Sequence, residues 1–262
     1  MMQADGRGEK HIGSGWEPTW APDGRTLAFT EYGDLDFFDS RLDPRDRILI
    51  AAADGTGTSR QLALGVQPAW SPEGSRIVFV HYEFRDGEPF RSTLKVMRPD
   101  GTGERTVTST SYDKGEPLLY APAWSPDGHT IAVGSSGDDG DSLREVDPDT
   151  GATRSIVKAG EEGLGFAWSR DGRQIALFTP SEIRLVDSDG TNSHTLVRES
   201  GGYWYPEAVW SPDSTQIAYI RFRYPRSGDG LSAADVYTVH TDGTARRRVT
   251  RTVGSVRKVF VS

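Results

Sequence analysis

Ala121-Pro-Ala-Trp-Ser-Pro-Asp-Gly-His-Thr-Ile-Ala-Val133 is one of five variations on a single phrase in this chain. The others are Pro18-Thr-Trp-Ala-Pro-Asp-Gly-Arg-Thr-Leu-Ala-Phe29, Pro68-Ala-Trp-Ser-Pro-Glu-Gly-Ser-Arg-Ile-Val-Phe79, Phe166-Ala-Trp-Ser-Arg-Asp-Gly-Arg-Gln-Ile-Ala-Leu177 and Ala208-Val-Trp-Ser-Pro-Asp-Ser-Thr-Gln-Ile-Ala-Tyr219. The tryptophans stand at 20, 70, 124, 168 and 210, so the period is about 42–54 residues, the range of a propeller blade.

Each copy reads as strand, turn, strand. Proline suits the first turn corner because its φ is already near −65°, and glycine accepts the left-handed conformation that closes the turn. Ser214 stands where the other copies have glycine. At positive φ it costs about 1 kcal/mol. A second motif follows each copy: an alternating strand, Asp-Gly, and a short strand, as in Ile183-Arg-Leu-Val-Asp-Ser-Asp-Gly190 before His194-Thr-Leu196. The third repeat varies it as Val146-Asp-Pro-Asp-Thr-Gly151. Four short strands per repeat make the blade of an all-β propeller. Each Trp, placed where a first strand ends, is expected to wedge between adjacent blades rather than contact a ligand.

The Trp-Ser-Pro-Asp-Gly and Asp-Gly repeats resemble the WD-like repeats of TolB-type β-propellers, and the resemblance covers nearly the whole chain. It implies a six- or seven-bladed propeller, commonly extracytoplasmic in bacteria and often a platform for protein interactions. Related propellers precede the catalytic domain of prolyl-oligopeptidase-type peptidases and form oligogalacturonate lyases, so the repeat speaks for fold more than function.

The reading is a single domain over 1–262, with blades near 16–63, 66–108, 118–157, 162–197 and 205–250. Met2-Gln-Ala-Asp-Gly-Arg-Gly-Glu-Lys-His-Ile12 repeats the Asp-Gly hairpin, and Gly254-Ser-Val-Arg-Lys-Val-Phe-Val-Ser262 resembles a first strand. A sixth blade is therefore expected from 1–13 plus 252–262, closing the ring with both termini.

The formal charge of −8 works against nucleic-acid binding, which needs a basic footprint. Arg246, Arg247, Arg248 and Arg251 are the local exception and read as a solvated strand. The absence of cysteine removes disulfides and thiol nucleophiles. No apolar run approaches the ~18 residues of a membrane span, and the N-terminus lacks the pattern of a signal peptide. Export would need a targeting segment outside these residues. A monomer is expected.

The regular turns belong to one face of a propeller, and the other loops vary greatly, which marks the opposite face for binding. The candidates are Tyr32 after the second strand of the first blade, His81 and Tyr82 in the loop of the second, and Tyr112 and Tyr120 in the loop leading into the third. Blade five adds Tyr203 and Trp204 before it and Arg221 and Arg223 after its second strand. Glu17 and Gln67, with Glu207, lie on first strands and are candidates to face the channel. Tyr, Trp and Arg join apolar area to polar tips and suit a peptide, protein segment or glycan.

No cofactor is expected. The acidic loops holding Asp34, Asp36, Asp39, Asp43 and Asp46, and Asp138 to Asp141, suggest calcium at most, without EF-hand spacing. There is no Gly-x-Ser-x-Gly elbow. Of the histidines at 11, 81, 129, 194 and 240, His81 alone reaches the variable face, so no His-rich metal site is expected. The leading expectation is a non-enzymatic binding module. The alternatives are a polysaccharide- or peptide-processing hydrolase or lyase, or a detached propeller of a larger peptidase.

Overall fold

The computed structural model describes residues 11–33, 42–158, 163–198, 203–205, 207–223 and 233–250. These residues form five blades. The first is β1 (Trp16–Trp20), β2 (Thr26–Glu31), β3 (Arg47–Ala52) and β4 (Arg60–Leu64). The second is β5 (Val66–Trp70), β6 (Ile77–Arg85), β7 (Glu88–Met97) and β8 (Arg105–Ser111). A 3-10 turn, Tyr112–Lys114, leads to the third: β9 (Leu118–Trp124), β10 (Ile131–Gly137), β11 (Gly140–Val146) and β12 (Thr153–Lys158). The fourth is β13 (Gly165–Trp168), β14 (Gln174–Phe178), β15 (Glu182–Asp187) and β16 (His194–Arg198). The fifth has a divided first strand, β17 (Tyr203–Trp204) and β18 (Ala208–Trp210), then β19 (Gln216–Arg223), β20 (Ala233–His240) and β21 (Arg247–Arg248). Neighbours in sequence are neighbours in each sheet, except that β17 and β18 both pair β19.

The structure thus shows five blades where six were expected. Residues 1–10 and 251–262, the bulk of the closing blade, lie outside the described residues, and 11–13 belong to no strand.

The repeated turns behave as their chemistry dictates. Gly24, Gly74, Gly128 and Gly172 have φ between 66° and 75°. The turn carboxylate accepts a hydrogen bond from the backbone N–H two residues on, as Asp127 does from His129 at 3.0 Å and Asp213 from Thr215 at 3.1 Å. Such Asx bonds stabilise the corner locally. Ser214 takes the same left-handed conformation, with φ 58°. Its Oγ accepts a hydrogen bond from Asp171 N at 3.2 Å, which offsets part of the strain. Ser214→Gly is therefore expected to stabilise the protein by about 0.5–1 kcal/mol. Chemical denaturation checks this, and a lower midpoint would show that the hydrogen bond outweighs the strain.

The chain divides into two compact units, 1–138 with 145–154, and 139–144 with 155–262. In the first, Ala28, Ile48 and Ala63 pack with Ile77, Phe79 and Met97 and with Trp70. On the other side of the second blade, Val78, Val80, Leu94 and Val96 pack with Leu119, Ile131 and Trp124. In the second unit, Ala176, Ile183 and Leu185 pack with Ile217, Tyr219, Val239 and Trp210. Trp70, Trp124 and Trp210 thus each lie against the preceding blade, as expected. Trp20 departs from the expectation, being 45% exposed. No blade precedes it among the described residues.

Candidate functional site

The inner strands of the first three blades share an irregularity. Glu17, Gln67 and Ala121, each three residues before its Trp, have φ of 54°, 58° and 47°. The ladder registers shift at these places, between Trp16 and Thr19, between Val66 and Ala69, and opposite Ala132 to Gly134. These are β-bulges, which re-aim side chains and interrupt pairing. A non-glycine residue in the left-handed region costs about 1–2 kcal/mol, and it persists only where the surroundings impose it. The fourth blade has Gly165 here and an unbroken register.

A bulge withdraws backbone groups from the ladder, and those groups need partners. Thr30 Oγ1 accepts from Gln67 N at 3.0 Å and donates to Glu17 Oε2 at 3.2 Å. Gln67 Nε2 donates to Glu17 Oε1 at 3.2 Å, while Gln67 Oε1 accepts from Ala121 N at 2.7 Å. One glutamine side chain therefore ties the bulges of three blades together. Glu17 is crowded by protein yet open to solvent on one side. That crowding raises its carboxyl above the ordinary range, against the lowering effect of the Gln67 and Thr30 hydrogen bonds. Desolvation likewise raises the phenols of Tyr32 and Tyr82, with the Glu17 charge adding to it. Tyr32 meets Trp16 edge-on, with ring centroids 6.4 Å apart.

This has a consequence for pH. The folded protein holds the Glu17 proton more tightly than the unfolded chain does. The associated stability is full below the ordinary value of 4.5 and is lost as pH rises through the elevated folded pKa. Glu17→Gln is expected to remove that decline, visible as a flatter melting temperature between the wild-type and variant pH series. Parallel curves would contradict it.

The remaining candidates divide between structure and surface. His81, Tyr82, Arg221 and Arg223 lie on strands β6 and β19 rather than in loops, because both strands run past the ends of their neighbours' regular pairing. Tyr82 is buried, its hydroxyl donating to Leu119 O at 2.6 Å, which makes it a blade-to-blade tie. His81 is half-buried, and desolvation followed by the Lys95 charge lowers its pKa. Tyr120 also lies on a strand, β9, with its ring over Gly134; a Cβ there would come within 2.5 Å of the ring. Arg221 Nη1 donates to Tyr237 Oη at 2.8 Å, and Tyr237 stacks on Tyr219 at 5.7 Å. Tyr203 and Trp204 form β17 rather than a loop and pair with Arg223 and Phe222. Glu207 borders a shallow apolar hollow with Val209, Ala218, Ile220 and Val236, and burial raises its carboxyl.

Tyr112 remains a surface residue, 47% exposed, its hydroxyl bonded to Asp138 at 3.1 Å. Beside it stands a further group. The β6–β7 hairpin carries Phe90 under two guanidiniums, Arg85 at 4.3 Å and Arg91 at 5.7 Å from the ring centroid. Arg85 pairs with Asp113 at 3.0 Å and Arg91 with Glu83 at 3.3 Å. The sequence signal was the stretch from Ile77 to Arg85, in which apolar and aromatic residues continue past the length of an ordinary blade strand with charges interleaved only at its end.

Of the acidic residues suggested for calcium, Asp34, Asp36 and Asp39 lie outside the described residues. Asp43 pairs with Arg45, Asp46 accepts from the backbone N–H of Gly33 and Asp43, and Asp141 accepts from those of Gly163 and Leu164. Among the described residues, no three His, Asp or Glu side chains are placed to hold a metal.

No protein-family model matches the chain. Solved structures do. A TolB from Agrobacterium tumefaciens is 18% identical with a TM-score of 0.64, over 89% of this chain and 79% of that one. An oligogalacturonate lyase in complex with manganese is 16% identical with a TM-score of 0.62, over 89% of this chain and 64% of the lyase. A puromycin-hydrolyzing peptidase of Mycobacterium tuberculosis is 19% identical with a TM-score of 0.64, over 93% of this chain and 39% of the peptidase. The chain therefore spans less than two thirds of the lyase and of the peptidase. Five blades of this order, together with these likenesses, give the chain a TolB-like β-propeller fold.

Proposed function

We propose that the chain is a non-enzymatic binding module that engages a peptide, protein segment or glycan on its variable-loop face. The carrying observation is the long β6–β7 hairpin with its Arg85–Phe90–Arg91 stack, held by ion pairs to Asp113 and Glu83. Such pairs fix two long side chains in place, so less rotamer freedom is lost on binding. Arginine and aromatic residues in this arrangement are the usual anchors of recognition surfaces. No metal and no cofactor take part in this reading, and the partner is neither nucleic acid nor membrane, in keeping with the acidic net charge of −8.

Peptide and glycan arrays probed with the full chain, with and without a chelator, test it. Binding is expected to withstand chelation and to weaken at least tenfold in Arg85→Ala/Phe90→Ala, at an unchanged melting temperature. Arrays without a binder, or binders indifferent to the double variant, would sink the reading.

A second reading rests on Glu17. A carboxyl raised in pKa and open on one side is a competent general acid, as a lyase or hydrolase acting on a polysaccharide or peptide would need. Turnover of such substrates that disappears in Glu17→Gln would favour it.

A further inference from the structure

β6 is longer than the strand beside it. β5 pairs with it from Trp70↔Ile77 to Val66↔Val80 and no further, because Gly65, at φ 144°, turns the chain back into β4. From His81 to Arg85, β6 pairs with β7 on one side, through His81↔Thr93 to Arg85↔Glu88. On the other side no strand lies beside it among the described residues. An open strand edge presents a row of backbone donors and acceptors and is a template for another strand.

The fifth blade shows what such an edge takes. There β19 also outruns its inner neighbour β18, which pairs only from Trp210↔Ile217 to Ala208↔Tyr219. The overhang is covered by a short extended segment of the chain itself, with Trp204 opposite Phe222 and Tyr203 opposite Arg223, antiparallel to β19. Counted from the blade tryptophans, Phe222 and Arg223 correspond to Tyr82 and Glu83 in the second blade. The connection leading into blade five is long enough to climb onto the edge, whereas the one leading into blade two is the single residue Gly65 between β4 and β5.

We propose that the edge of β6 over His81–Arg85 receives an extended peptide segment of a partner protein as an added antiparallel strand. This deepens the binding-module reading and rests on it. The charges along the edge are already matched, Glu83 by Arg91 and Arg85 by Asp113. His81 is held towards its neutral form by burial and by Lys95. The fitting segment is accordingly uncharged and rich in aromatic or β-branched residues, as Tyr203-Trp204 is in the fifth blade. Main-chain hydrogen bonds supply affinity, and the flanking Arg85–Phe90 stack supplies a surface for alternate side chains.

A phage-displayed library of random twelve-residue peptides, selected on the full chain, supplies the probes. Selected peptides are expected to slow amide hydrogen exchange across residues 81–85 and to leave β14 unchanged. N-methylation of alternate peptide amides in one phase is expected to weaken binding at least tenfold, and in the other phase to have little effect. Selected peptides that protect a different segment, or that tolerate both methylation phases equally, overturn strand addition and leave the binding-module reading standing. A chain of doubled mass whose residues 81–85 are protected without peptide overturns it in favour of a second copy on the edge. A library with no enriched peptide also overturns it, and the glycan array then decides the broader reading separately.

Discussion

Trp124→Ala is expected to lower stability by about 3–5 kcal/mol, the usual cost of deleting a buried large aromatic ring. Trp124 is 6% exposed and lies among Val66, Val78, Val80, Leu94 and Val96 of the preceding blade. The Arg76 guanidinium covers its outer face at 4.3 Å from the ring centroid. The valines and Leu94 around it belong to a sheet whose spacing is set by other residues, so they cannot easily collapse into the space. For a chain of this size the loss corresponds to a melting temperature lower by about 10 °C. Trp20→Ala is the internal control: the same residue at the same repeat position, 45% exposed, is expected to cost about 1 kcal/mol. Denaturant midpoints of the two variants measure the contrast. Equal losses would mean that the repeat tryptophan stabilises its own hairpin rather than the junction between blades.

Gly151→Ala is the second large effect. Gly151 closes the β11–β12 turn at φ 74°, and a Cβ there would lie 2.2 Å from Val107 O. The obstacle is a backbone carbonyl of the neighbouring blade, so no rotamer change relieves it. The left-handed conformation alone costs about 1 kcal/mol, and the overlap is expected to bring the total to about 2–4 kcal/mol. Gly24→Ala separates the two contributions, since Gly24 has φ 66° and nothing within 4 Å of its Cβ position. Its cost should stay near 1 kcal/mol. If the two variants lose the same amount, the blades part without penalty at Val107, and the close approach stabilises nothing.

Much of the fold was legible because its signals are local. Each repeat Trp, at 20, 70, 124, 168 and 210, closes a first-strand segment, and Gln174–Phe178 forms the second strand of its blade, as expected of the residues after the turn. Ser214 adopts positive φ as its position required. The number of blades was not legible in the same way, since it depended on pairing the two ends of the chain. The site was read less well. Tyr82 and Tyr120 looked like loop aromatics, and both are strand residues whose rings pack against a neighbouring strand or glycine. Loop and overhanging strand have the same composition here, and only the partner strand distinguishes them.

The sequence alone settled the repeat, the turns and the four-stranded blade, since a turn depends on the φ preferences and short-range hydrogen bonds of four adjacent residues. The tertiary structure alone decided where the strained positions and open edges fall. Glu17, Gln67 and Ala121 carry no residue type that announces positive φ, and at Gln67 and Ala121 the preceding blade supplies the partner for the displaced amide. The overhang of β6, which no strand of the described residues borders on its inner side, likewise follows from the unequal lengths of two strands and the single-residue link at Gly65. Both are matters of register between segments far apart in sequence, and register is set by packing, not by composition.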